Sequence, residues 1–180
     1  MDKTEIRISG LGGQGVILAA YVIGKAASIH EGKHATLIQA FGPEARGSAC
    51  SAQVILSGEP IGYPYVKHPD VLVAMSRAAY ARFAPELKPG GVLLYENELV
   101  VPDDKLPHGV KALGVPATRL AERLGRKLVQ NIVMVGFFAG ALAHLRFESV
   151  EKAVRDSVPK GTEELNGKAL RLGFEQGRAA

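Results

Sequence analysis

Two short stretches of this 180-residue chain carry residue types that can do chemistry: "GLGGQG" at 10–15 and "FGPEARGSA" at 41–49. In the first, Gly12, Gly13, Gln14 and Gly15 follow a short apolar run, "IRIS", and open a long one, "VILAAYVIGKAA". Glycines permit positive φ and close approach to the backbone. Amides at the start of a helix, with the helix dipole behind them, favour a phosphate or another anion. Gln14 adds a side chain that can both donate and accept. In the second stretch, Gly42 and Gly47 flank Glu44 and Arg46. A guanidinium there suits bidentate recognition of a phosphate or carboxylate, and Glu44 would either orient it or neutralise it. Each stretch also has a plainer reading: glycines that only allow tight helix–sheet packing, and a surface turn with an incidental ion pair.

Gly10, Gly12 and Gly15 satisfy the G-x-G-x-x-G pattern of dinucleotide sites, whose second requirement is an Asp or Glu at the end of the second strand. The second strand here, "ATLIQAF", has no carboxylate, and Glu31 in "HEGKH" precedes it in what looks like a solvated turn. "GK[ST]" is absent, which excludes an ATPase-type phosphate loop. The glycine loop is therefore part of a site rather than the whole of one.

Other chemistry is sparse. No Ser-His-Asp arrangement and no G-x-S-x-G is recognisable. Cys50 is the one cysteine, so this chain alone makes no internal disulfide and no iron–sulfur or zinc site. Placed in an apparent strand, it is expected to behave as a small hydrophobe. Histidines 30, 34, 68, 108 and 144 lack metal-ligand spacing, and His68 and His108 fall in loops. Met75 and Met134 fit core packing. Glu96 and Asn97 end a strand at a position where sites occur, and capping or turn formation explains them equally well. A formal charge of +4, evenly spread, is too mild for a nucleic-acid footprint. "MDKTEIRIS" is no signal peptide, and "IVMVGFFAGALA" falls well short of the ~20 residues a spanning helix needs. No membrane association and a cytoplasmic location are the expectations.

These residues must be positioned by alternating strands and helices. Strands are expected at 5–10, 35–41, 48–58, 70–75, 92–97 and 110–115. Helices are expected from Gly15 to about Ser28, over 76–87, 116–125, 128–145 and 147–158, and from 161 to 177. The first helix is apolar nearly all round, which predicts burial on both sides. The short connection after residue 41 favours antiparallel neighbours, since a parallel pair needs a crossover of a dozen residues or more. The chain is thus expected to be a single domain over 1–180, a three-layer α/β/α fold with a mixed, mostly parallel sheet. Gly136 and Gly140, four apart, should mark where the buried helix 129–145 is approached most closely.

The order and spacing of "GLGGQGVILAAYVIGKAA", "FGPEARGSACSAQVILSGEPI" and "YPYVKHPDVLVAMSRAAYARFAPELKPGGVLLYENELV" resemble the gamma subunit of the 2-oxoacid:ferredoxin oxidoreductases. The likeness runs from about residue 5 to the C-terminus. "YPYV" before "PDVLVAMS", and the ending "VPKGTEELNGKALRLGFEQG", are most similar to the 2-oxoglutarate branch. The resemblance implies a heteromeric enzyme that converts a 2-oxoacid and coenzyme A to an acyl-CoA and CO2, reducing ferredoxin. It implies that thiamine diphosphate, Mg and the iron–sulfur clusters reside on partner alpha, beta and in some cases delta chains, with no cofactor held wholly by this one. This chain would form the coenzyme A side of the active site and the subunit interface, without catalytic residues of its own. Gly12, Gly13, Gln14, Gly15, Gly42, Glu44, Arg46 and Gly47 match the family's two motifs. The competing readings are a stand-alone nucleotide-binding oxidoreductase and a purely structural assembly subunit.

Overall fold

A computed structural model describes residues 3–41 and 48–180. Gly42, Glu44, Arg46 and Gly47 therefore lie outside the described residues. Strand β1 (Thr4–Leu11) leads into helix α1 (Val16–Lys25), whose last turn widens into a π-turn over Ala26–His30. Next come β2 (His34–Phe41), β3 (Ala49–Ser57), β4 (Val71–Ala74), α2 (Arg77–Phe83), β5 (Val92–Glu96) and β6 (Lys111–Val115). Helices α3 (Ala117–Arg123), α4 (Gln130–Leu142), α5 (Phe147–Arg155) and α6 (Glu163–Arg178) complete the chain.

The sheet has the order β2-β3-β1-β4-β5-β6. β1, β4, β5 and β6 pair in parallel, and β3 is antiparallel to both of its neighbours. The expected α/β/α fold with a mixed sheet is what forms. The short connection does join antiparallel neighbours, and β2 consequently runs in the same direction as β1. Alternation along the strands sets the two faces. Ile6, Ile8, Ala52, Val54, Val71, Val73, Leu94 and Val115 pack with α1, α3, α4, α5 and α6 in one large core. Leu72, Ala74 and Leu93 face the other way and meet Tyr80, Ala84, Leu87 and Val100 around α2. β4 is buried along its whole length, as a central parallel strand covered on both faces must be.

Helix α4 carries apolar side chains all round and is buried from Gln130 to Ala139. It lies against α6 at unusually close range. A Cβ on Gly136 would strike the carbonyl of Leu170, and one on Gly173 would strike the carbonyl of Val133. Gly140 and Gly177 meet the opposite backbone in the same way, so the expected closest approach at Gly136 and Gly140 is observed. Burial of α1 on both sides is only partly realised. Its inner face is sealed, but Tyr21 is 48% exposed and Ile29, just beyond the helix, is 69% exposed.

Candidate functional site

β1 carries the chain to the carboxyl edge of the sheet, and the turn into α1 depends on two glycines in the left-handed region, Gly13 (φ +94°) and Gly15 (φ +74°). The turn is locked by Gln14. Its Oε1 accepts from the amide of Leu11 at 2.7 Å, and its Nε2 donates to the carbonyl of Met75 at 2.9 Å. The amide of Met75 in turn donates to Ser9 O at 2.8 Å. The loop is therefore tied to the end of β4. Gly10 is the residue that leaves room for this arrangement, because a Cβ there would sit 2.5 Å from Gln14 Oε1. Gly15 is pressed against Asn131 at the start of α4, whose Nδ2 donates to Gly15 O at 3.2 Å.

The described residues on either side of 42–47 lie beside the first motif. Phe41 closes β2 opposite Cys50, Leu11 closes β1 opposite Ala49, and the amide of Gly12 donates to Ser48 O at 2.8 Å. A cleft of about 550 Å3 lies on the α1 side, lined by Gly12, Gly13, Gly15, Phe41, Ser48 and Cys50 among others. No charged side chain lines it among the described residues. Its polarity there comes from main-chain groups and the N-terminus of α1, which favour an anion. A second cleft of about 460 Å3 opens on the α2 side of the same strand ends, with Arg7, Ser9, Ser51, Gln53, Arg82 and Phe83 on its walls.

Arg7 is the buried cation of that second cleft. Its Nη2 donates to Val66 O at 2.7 Å and lies 3.2 Å from Glu86, and its guanidinium stacks 4.5 Å from the centre of the Phe83 ring. Burial pulls its pKa below the ordinary value; Glu86 opposes the shift and Arg82 adds to it. The Cys50 thiol is pushed up by burial, which makes it a poorer nucleophile, in keeping with a packing role. Met75 and Met134 are core residues, and His68 and His108 are exposed. Glu96 is buried and caps α3, accepting from the amide and hydroxyl of Thr118, each at 2.6 Å.

The dinucleotide reading fails on topology as well as on residue type. β3 separates β2 from β1, whereas a dinucleotide fold needs the ribose-binding strand end beside the glycine loop. Glu31 is not the solvated turn residue its neighbours suggested. Its side chain is 6% exposed, paired with Lys33 at 2.6 Å and accepting from the amide of Arg146 at 2.7 Å. Gly10, Ser48, Met75 and Asn131 complete the site although the motifs do not single them out. Gly10 had a signal as a member of the fingerprint and Ser48 as part of the second stretch; Met75 and Asn131 reach the loop through long-range contacts.

Glycine loop, mixed sheet and paired strand ends together match one class. The model of the family described as pyruvate ferredoxin/flavodoxin oxidoreductase matches residues 5–176, and the chain belongs to that family. Among curated proteins it is 45% identical over 175 residues to the 2-oxoglutarate synthase subunit KorC of Methanocaldococcus jannaschii, covering 96% of this chain and 93% of that one. The crystal structure of the keto/oxoacid ferredoxin oxidoreductase gamma subunit from Geobacter sulfurreducens superposes with a TM-score of 0.85 at 38% identity, covering 98% of this chain and 99% of that one. The fold recurs in the 2-oxoglutarate:ferredoxin oxidoreductase of Magnetococcus marinus, described with 2-oxoglutarate, coenzyme A and succinyl-CoA bound. There the TM-score is 0.88 at 22% identity over 100% of this chain, but only 32% of that longer one.

Proposed function

We propose that this chain is the gamma-type subunit of a 2-oxoglutarate:ferredoxin oxidoreductase, and that its glycine-loop cleft forms part of the coenzyme A side of the active site. The observation that carries the reading is the Gly12–Ser48 bond, which, with the pairing of Phe41 to Cys50, sets the residues on either side of 42–47 beside the glycine turn at one anion-favouring cleft. Likeness along nearly the full length of a 2-oxoglutarate synthase subunit supports the choice of 2-oxoacid.

Oxidative decarboxylation needs an electron-sink cofactor and one-electron carriers, with protein groups supplying binding, orientation and electrostatics. Among the described residues this chain offers no donor set for a cluster or a metal. Its single cysteine is buried in β3, and among the described residues no group of three or more His, Cys, Asp or Glu could hold a metal ion. On this reading thiamine diphosphate, Mg and clusters belong to alpha, beta or delta partners, and this chain has an accessory role. Among the described residues no helix is long and apolar enough to cross a membrane.

The test uses the assembled complex. Gly13 is exposed, with nothing within 4 Å of the position a Cβ would take, and Asn and Asp are the residues that best tolerate its positive φ. Gly13→Asp places a negative charge in the cleft, while Gly13→Asn supplies the same shape without it. Coenzyme A is polyanionic, so its KM should rise for Gly13→Asp and for Arg46→Ala, little for Gly13→Asn, and that for 2-oxoglutarate should hardly change. Equal coenzyme A dependence across all three variants would leave the cleft without this role.

A further inference from the structure

We propose that Tyr63 and Tyr65, on the irregular segment 58–70, form a preorganised anchor through which a partner subunit grips this chain. The segment runs from the end of β3 to the start of β4 without helix or strand. Structureless loops of this length inside a compact domain are commonly functional or disordered, and this one is firmly fixed. Val66 is buried; its amide donates to Gln53 Oε1 at 2.6 Å and its carbonyl accepts from Arg7 at 2.7 Å. At the other end, the amide of Glu59 donates to Ser57 Oγ at 3.0 Å. Pro60, Pro64 and Pro69 restrict the backbone further. A buried arginine in mid-sheet is costly, and here it serves to hold this segment down.

What the segment presents to solvent is aromatic. Tyr63 and Tyr65 are 55% and 52% exposed, with ring centres 5.5 Å apart and planes tilted by 51°. Tyrosines are enriched at interface hot spots because they offer large area and a polar tip at small entropic cost. Holding them rigidly beforehand lowers that cost again.

The occupant is a partner subunit of the same oxidoreductase, so the inference rests on the subunit reading above. The same fold recurs as about a third of a longer chain in the Magnetococcus marinus protein, and the Methanocaldococcus jannaschii relative that this chain matches along nearly its full length is itself named a synthase subunit. A second copy of this chain is disfavoured by charge. Lys67, two residues after Tyr65, is exposed and has no ion-pair partner among the described residues; a two-fold contact through this segment would face lysine with lysine. The partner surface that fits is an apolar pocket with acceptors for the phenol hydroxyls and a carboxylate near Lys67. The segment leaves β3 and enters β4 at the end of the sheet away from the glycine loop, and neither tyrosine lines the glycine-loop cleft.

The experiment is purification of the assembled complex through a tag on this chain, followed by dilution and mass photometry. Tyr63→Ser with Tyr65→Ser should make the complex dissociate at a concentration at least about tenfold higher than wild type. Tyr63→Phe with Tyr65→Phe should keep most of the affinity, and Lys67→Glu should weaken it without touching the rings. The melting temperature of the isolated serine variant should match that of wild type; if it falls, Lys67→Glu alone decides. Dissociation at the wild-type concentration overturns the proposal. So does an intact complex whose KM for ferredoxin rises, since the tyrosines would then serve the electron acceptor. If the wild-type chain brings down no 2-oxoacid oxidoreductase subunits, the subunit reading itself fails, and this inference fails with it.

Discussion

Gln14 and Met75, 61 residues apart, are joined by a hydrogen bond of 2.9 Å from the glutamine side chain to the methionine carbonyl. With the bond to Leu11, it makes Gln14 a brace for the glycine turn. The amide that looks like a ligand-binding group is thus engaged with the protein's own backbone. Gln14→Ala strands one main-chain donor and one acceptor in a part-buried position. It should cost about 1–3 kcal/mol in unfolding free energy for the isolated chain. Chemical denaturation of wild type and variant measures this directly. An unchanged midpoint would show the brace to be dispensable and return Gln14 to the list of candidate ligand contacts.

The contrast between Gln14 and Gly136 shows what the sequence could reveal. Gly136 and Gly140 share one face of an apolar helix at a spacing that names the face, and only the neighbour remained to be found. The strand order was less accessible. "ATLIQAF" and "SACSAQVILSG" announce an antiparallel pair, but nothing in either says that β3 rather than β2 lies beside β1. That choice is non-local and decides whether a ribose site can exist. Arg7 was hidden for a related reason. In "IRIS" it occupies an outward-looking position of an alternating strand, and only the return of Val66 across 59 residues, with Phe83 stacked on the guanidinium, buries it. Gly42, Glu44, Arg46 and Gly47 lie outside the described residues, so their part in the site rests on the motif and on the placement of Phe41 and Ser48.

Glu31 gives the fold a pH dependence. Burial pushes its carboxyl up, but bonds from Lys33, the Arg146 amide and Ser149 outweigh burial and hold the pKa below its ordinary value of 4.5. A carboxyl whose pKa is lower in the folded state stabilises the fold above the unfolded pKa, and that contribution is lost as pH falls through the folded one. Glu31→Gln should therefore be less stable than wild type at pH 7. The gap should narrow as pH drops below about 4.5. Melting curves from pH 3 to 7 provide the check, and a gap constant across that range would contradict the assignment.

The isolated chain should be colourless and free of iron. Cys50 is 8% exposed and belongs to the main core, whereas a cluster requires several thiolate ligands. Visible absorbance and iron analysis of the purified chain test this. Stoichiometric iron would mean that Cys50 leaves the core to ligate a cluster between copies.

The pairing of α4 with α6 makes the strongest stability prediction. Gly136 and Gly140 on one helix, and Gly173 and Gly177 on the other, each bring a backbone where a side chain would normally stand. The collisions are with main-chain carbonyls rather than flexible side-chain ends, so they are relieved only by moving a helix. Overpacking a core typically costs about 1–3 kcal/mol, and Gly136→Leu should reach or exceed the upper end of that range. Gly167 lies on α6 as well, at a helical position with nothing within 4 Å of its would-be Cβ. There the intrinsic preference of a helix for alanine over glycine has nothing to oppose it, and Gly167→Ala should stabilise by about 0.5–1 kcal/mol. Two glycines on facing helices are thus expected to respond in opposite directions. Thermal melts of the two variants separate helix propensity from packing. A Gly136→Leu protein as stable as wild type would be incompatible with the interhelical distance on which this part of the fold depends.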